Sequence, residues 1–321
     1  MSLETRKLQM AGYSTYILSL PKPWVMARGL RKGDPIGLRM MPDGTIRLFI
    51  EPGKGACSPA ELDTVAGKDR LAREFIGCYL AGYPGIVFRL GRDRAADQRN
   101  IRELVHLVAG MEITEESGPA VTVRDIIDSG VLTPEKAVRR MVMVCTSMIE
   151  DVLSGAPVEA RTERAIGREG AVDRLNWLVA RQYHLVLTDV QFTHKVELTP
   201  RKGLGYLLVA RALERISDHA RDIAAGRVPP AAAGPGKALP GVLERTVESF
   251  LSGSLDGADA AVDEAERLLS ELGTLLDTAV SEGNPPAAAN DAAFLYGLGR
   301  ICSYTKDIGE IAVNQSMLGA D

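Results

Sequence analysis

From Thr133 onward the apolar residues of this chain recur every three or four positions, the spacing of amphipathic helices. Thr133 followed by Pro134 places a capping hydroxyl before a proline at the first helical position. The helix begun there runs to Leu153 and breaks at Gly155-Ala156-Pro157. A second starts at Val158 or Arg168 and reaches Thr188, and a third covers about Gly205 to Ala225. Gly226 to Gly236, rich in Pro, Gly and Ala, reads as a linker. Three more helices follow, at about 239–255, 257–280 and 289–315, with Asn284-Pro285-Pro286 interrupting the last two.

The pattern before Thr133 is different. Residues 6–51 are β-rich: 14–20 reads as a strand stopped by Pro21, and 36–41 and 45–50 as strands joined by a turn at Asp43-Gly44. Residues 23–28 form one or two helical turns closed by Gly29, and Gly33-Asp34 is a turn. Glu51 to Pro59 is a linker by composition. Over 60–130, helices at 71–80 and 95–108 alternate with strands at 86–90, 111–115 and 120–124. The fold class expected is therefore multidomain: a small β domain over 1–53, an α/β spacer over 60–130, and two all-α three-helix bundles over 131–226 and 237–321.

The two bundles are related. Leu213-Glu-Arg-Ile-Ser-Asp-His-Ala-Arg-Asp-Ile223 aligns, 85 residues on, with Leu298-Gly-Arg-Ile-Cys-Ser-Tyr-Thr-Lys-Asp-Ile308. Leucine, arginine, both isoleucines and the final aspartate match, the mark of a duplicated unit.

Composition narrows the function classes. Four scattered cysteines without C-x-x-C spacing argue against a zinc knuckle or redox motif. No signal peptide and no apolar run of membrane-spanning length is present, so a cytoplasmic protein without membrane insertion is expected. The net charge of −4 hides an asymmetry, because residues 1–51 carry eight Lys/Arg against four Asp/Glu. A basic head on an acidic body suggests a nucleic-acid partner. There is no G-x-x-x-x-G-K-[ST] and no H-E-x-x-H, and no nucleophile with a base, so an enzyme is not expected.

Chemistry concentrates in the third helix. Glu214, Asp218 and Asp222 recur every four residues and share one face. Leu208, Val209, Ala212, Leu213, Ile216, Ala220 and Ile223 form an apolar stripe almost opposite, which puts the carboxylates on the outer surface. Like charges stacked in this way need a cation among them, either Arg211, Arg215 and Arg221 or a metal ion. On the second helix Glu169 and Asp173 form a similar pair, with Val172, Leu175, Leu178 and Val179 pointing away.

The stretch Arg211-Ala-Leu-Glu-Arg-Ile-Ser-Asp-His-Ala-Arg-Asp-Ile-Ala224 resembles the signature of the PhoU family, R-x-L-E-R-I-x-D-H-A-x-N-I-A, departing only at Asp222. The resemblance implies tandem three-helix bundles and a surface metal cluster held by E/D-x-x-x-D pairs on neighbouring helices. The ligands it implies are Glu169, Asp173, Glu214, Asp218 and Asp222. The resemblance points to iron, and carboxylate oxygens also suit Mg or Mn, with Zn as a further alternative. His219 reads as a packing residue, and His184 and His194 have no assigned role. The second repeat departs from the pattern, with Gly299 and Ser303 where Glu and Asp should stand. Asp307 and Glu310 remain, and Asp259, Asp263 and Glu264 on the partner helix fit no clear frame, so this bundle reads as structural or as an interaction surface.

The N-terminal segment resembles the AbrB/MazE/SpoVT swapped-hairpin domain through Gly12-x-Ser-Thr, Ser19-Leu-Pro-Lys-x-Trp24, Gly29-Leu-x-x-Gly-Asp34 and Asp43-Gly44. That resemblance implies an interleaved homodimer closing one β barrel, with Arg6, Lys7, Lys22, Arg28, Arg31 and Lys32 against DNA phosphates. The order of modules resembles archaeal PhoU-type regulators. The expected function is a phosphate-uptake regulator that binds operator DNA and senses phosphate or metal status. The alternative is an adaptor without DNA binding that docks on a phosphate transporter ATPase or a signalling kinase.

Overall fold

The computed structural model describes residues 4–40, 44–50, 58–126, 131–282 and 285–318. The chain divides into two compact units, Met1–Ala56 and Cys57–Asp321.

In the first unit, β1 (Gln9–Ala11) pairs antiparallel with β2 (Thr15–Ile17) across Gly12, whose φ of 70° suits a residue without a Cβ. A short helix α1 (Lys22–Ala27) follows, with Pro21 and Pro23 at its start, and ends at Gly29. Then β3 (Gly37–Met40) pairs antiparallel with β4 (Ile46–Phe49). The expected strand at 14–20 is thus only three residues long, and its partner β1 was not anticipated. Within one chain the strands make two separate two-stranded sheets, so the expected barrel is not closed by a single copy. Asp43 of the expected hairpin turn lies outside the described residues, as does most of the expected linker after Ile50. None of the described residues of this unit is buried. Leu8, Met10, Tyr16, Leu38, Met40 and Ile46 are all exposed.

The second unit opens with an α/β module. It contains β5 (Ala60–Asp63), α2 (Lys68–Leu80), β6 (Gly85–Arg89), α3 (Arg94–Val105), β7 (Met111–Ser117) and β8 (Ala120–Asp125). The sheet order is β5-β6-β8-β7, with β5 and β6 parallel across α2 and the other pairs antiparallel. Phe75 and Tyr79 from α2, Ile101 from α3, and Ile86, Phe88, Val121 and Val123 from the sheet form its core. Strand β5 escaped the sequence pattern because its four residues include Glu61 and Asp63, too short and polar for an apolar alternation to register.

The helical part comprises α4 (Pro134–Leu153), α5 (Val158–Thr188), the short α6 (Val190–Val196), α7 (Pro200–Ala224), α8 (Ala233–Ser252), α9 (Leu255–Glu282) and α10 (Pro285–Met317). Thr133 caps α4 by accepting from the Lys136 N–H, and Thr199 caps α7 by accepting from the Lys202 N–H. Helix α7 therefore starts one turn or more before the expected Gly205, and the expected linker at 226–236 is already helical from Ala233. Val138, Met141 and Ile149 of α4, Val172 of α5, Leu213 and Ile216 of α7, Leu243 of α8 and Leu298 and Ile301 of α10 belong to one continuous core. Arg161 is buried and donates to the Val152 and Gly226 carbonyls, both at 2.7 Å. It thereby satisfies the C-terminal ends of α4 and α7, where a cation also complements the helix dipoles. No described helix is long and apolar enough to cross a membrane.

Candidate metal centre

Helices α5 and α7 run side by side, and the carboxylates line the seam between them. Glu169 and Asp173 sit one turn apart on α5, and Glu214, Asp218 and Asp222 one turn apart on α7. The Glu214 and Asp218 side chains retain only 16% and 23% of their exposure, whereas Asp222 keeps 59%. The row expected on the outer surface is thus partly covered: α5 shields Glu214 and Asp218 and leaves Asp222 at the rim. Leu208 is also displaced from its expected place, being 44% exposed, while Ala210 and Ser217 are buried. The stripe is rotated because α7 packs on α10 as well as on α4 and α5.

Arginines enter the seam. Arg221 pairs with Glu169 across the two helices, lies 3.5 Å from Asp218 Oδ1, and holds Asp222 Oδ1 at 2.9 Å. Arg215 stands 3.5 Å from both Glu214 Oε2 and Asp218 Oδ2, too long for a hydrogen bond to the former, whose buried oxygen has no hydrogen-bond partner. Arg211 stacks its guanidinium 5.1 Å above the Trp177 ring.

The electrostatics follow from this crowding. Asp173 is pushed up to about 6, first by burial and then by Glu169, Glu214 and Asp218. Burial and Asp218 likewise raise Glu169, against the pull of Arg221. Glu214 is raised by burial and Asp218, with Arg215 and Arg211 opposing. The seam thus holds more negative charge than its arginines neutralise.

All five donors are hard carboxylate oxygens, and an orphaned buried oxygen at Glu214 beside Asp173, whose pKa is raised by burial and by its carboxylate neighbours, suits a hard cation by chemistry and charge. Their spacing in this conformation is a different matter. Among the described residues no group of three His, Cys, Asp or Glu side chains stands at ligating distance. The guanidinium of Arg221 lies against three of the carboxylates, Glu169, Asp218 and Asp222, where a cation would draw them in.

In the second bundle Lys306 pairs with Glu266 at 2.8 Å and with Glu310 at 3.4 Å, and Arg245 pairs with Glu264 at 2.6 Å. Asp307 is raised by burial and by Glu310. Asp259 and Asp263 are exposed on α9. His219 does not face the carboxylates as a ligand; its ring stacks on Tyr304 of α10.

The six basic residues expected to meet DNA are all exposed in the first unit. Lys22 and Arg28 flank α1, Arg31 and Lys32 follow in the next turn, and Arg6 and Lys7 precede β1, with Arg6 paired to Glu4 at 2.5 Å. A buried charged residue that pattern reading missed is Arg181. It is buried, donates to the Tyr79 carbonyl, to the Tyr83 carbonyl at 3.1 Å and to Asp125 Oδ2 at 2.8 Å, and so fastens α5 to the α/β module. Its signal was a lone arginine directly after the apolar run Leu178-Val179-Ala180.

Residues 138–226 match the model of the PhoU domain, a span that contains all five carboxylates. No curated protein matches the sequence. Among solved structures, PhoU from Pseudomonas aeruginosa aligns at 12% identity with a TM-score of 0.45, over 60% of this chain and 99% of that one.

Proposed function

We propose that the protein is a phosphate-uptake regulator whose first unit binds operator DNA as a homodimer and whose PhoU domain carries a carboxylate metal centre. The observation that carries this reading is the PhoU-domain match, which spans both helices of the carboxylate seam. Glu169 and Asp173 from α5, with Glu214, Asp218 and Asp222 from α7, would hold the metal, iron by the resemblance. A metal there supplies concentrated positive charge, and carboxylates closing on it would draw α5 and α7 together. Arg181 ties α5 to the α/β module, so a shift of α5 has a route out of the seam.

Two features support the DNA-binding and dimeric parts. The first unit has an excess of exposed basic residues. It also leaves Met10, Tyr16, Leu38 and Ile46 exposed, more apolar surface than a small unit tolerates alone, and a second copy would cover it.

Affinity for DNA upstream of its own gene, measured over a salt series, tests the reading. A DNA-binding regulator gives a steep linear fall of log affinity with log salt. Absence of binding even at low salt would instead favour an adaptor acting on a phosphate transporter ATPase or a signalling kinase.

A further inference from the structure

Among the described residues Arg221 makes the ion pair that crosses the seam from α7 to α5, whereas Arg211 reaches α5 by stacking on Trp177. Arg221 engages Glu169 on the neighbouring helix while also lying against Asp218 and Asp222 of its own. It makes no ion pair with Asp173 or with Glu214, whose buried Oε2 has Arg215 at 3.5 Å but no hydrogen bond. A cation that gathers ligands from both helices therefore has to take Glu169 and Asp218 away from a guanidinium that already holds them.

The second repeat contains the same device. Lys306 occupies the position 85 residues beyond Arg221 and likewise reaches to a neighbouring helix, at Glu266, and along its own, at Glu310. There Gly299 and Ser303 stand in place of two of the carboxylates, and the Lys306 ammonium pairs with Glu266 and Glu310. In the first repeat the carboxylates are retained and one bridging guanidinium leaves part of their charge unmatched.

We propose that Arg221 is an internal counter-cation that occupies the α5–α7 seam and is displaced when a metal ion binds, so that it sets the free metal concentration at which the site fills. This rests on the reading of the seam as a metal centre. Arg221 Nε and Nη2 also bond Asp222 at the exposed rim, so metal binding by that carboxylate competes with the guanidinium as well.

Titration of the full chain with Mn²⁺, followed by the paramagnetic signal of free Mn²⁺, tests this. Arg221→Gln should bind at least about tenfold more tightly than wild type, since the competing charge is gone. Arg221→Lys, which keeps the charge but loses the fork that engages two carboxylates, should fall between them. Arg215→Gln removes an equal charge that does not bridge the helices and should have a smaller effect. Equal or weaker binding by Arg221→Gln, or an equal gain in Arg215→Gln, overturns the proposal. If wild type binds, Asp173→Asn abolishes binding and Arg221→Gln changes nothing, the metal centre stands and only the counter-cation falls. If no variant binds at millimolar Mn²⁺, both fall together.

Discussion

The His219 imidazole stacks on the Tyr304 ring with centroids 5.8 Å apart and planes 21° from parallel. The two residues occupy the same position in the two copies of the 85-residue repeat. The contact joins α7 to α10 one residue from the carboxylate seam. Arg300 braces it, donating to the Tyr304 hydroxyl at 2.7 Å and lying 4.7 Å over the same ring.

Removing either ring should weaken the junction. Tyr304→Ala is expected to cost about 1–3 kcal/mol, from lost burial and lost stacking. In a double-mutant cycle with His219→Ala, urea unfolding should give a coupling of about 0.5–1.5 kcal/mol. Strict additivity would place the rings side by side without interaction.

Burial, then Arg300, holds His219 below its ordinary value of 6.5. The folded state thus prefers the neutral ring, and the unfolded chain binds more protons at mildly acidic pH. Stability should rise with pH as it climbs to 6.5 and level off above it. His219→Gln should flatten that rise in unfolding experiments between pH 5 and 7.

Asp173 has the opposite sign. Its folded value of about 6 lies above the ordinary 3.8, so the folded state binds the extra proton. The associated stability is full below 3.8 and is lost as pH rises through 6. Without added metal, Asp173→Asn should stabilise the protein at pH 7.5 by up to about 2 kcal/mol after solvent screening is allowed for, and by much less at pH 4. Equal effects at the two pH values would show that the carboxylate is not strained.

Arg181 anchors the α/β module through a buried guanidinium with backbone and carboxylate partners. Arg181→Ala removes the buried guanidinium's bonds to the Tyr79 and Tyr83 carbonyls and to Asp125 and should cost about 3–5 kcal/mol. Arg181→Lys should recover little, because an ammonium cannot reproduce the fork. Amide exchange over residues 60–126 should accelerate in both variants.

Much of the architecture was legible in the chain because helices long enough to bury a stripe repeat their apolar residues many times. Thr133-Pro134 marked the start of α4 outright. Short elements left no such record: β1 has three residues, and β5 is half acidic. The candidate site was legible as a set of residues but not as a geometry. The every-fourth spacing of Glu214, Asp218 and Asp222 located one face of α7, yet a single-helix wheel cannot show that α5 covers two of the three. Nor could it choose between arginine and metal as the counter-charge. In this conformation the guanidinium of Arg221 fills that role, and the orphaned Glu214 oxygen marks where it falls short.

The most direct test of the account is the affinity of the protein for operator DNA, compared between chelator-treated and metal-loaded samples at one fixed salt concentration. The account predicts a clear difference in wild type that disappears in Asp173→Asn. Identical affinities in the two wild-type samples would contradict it.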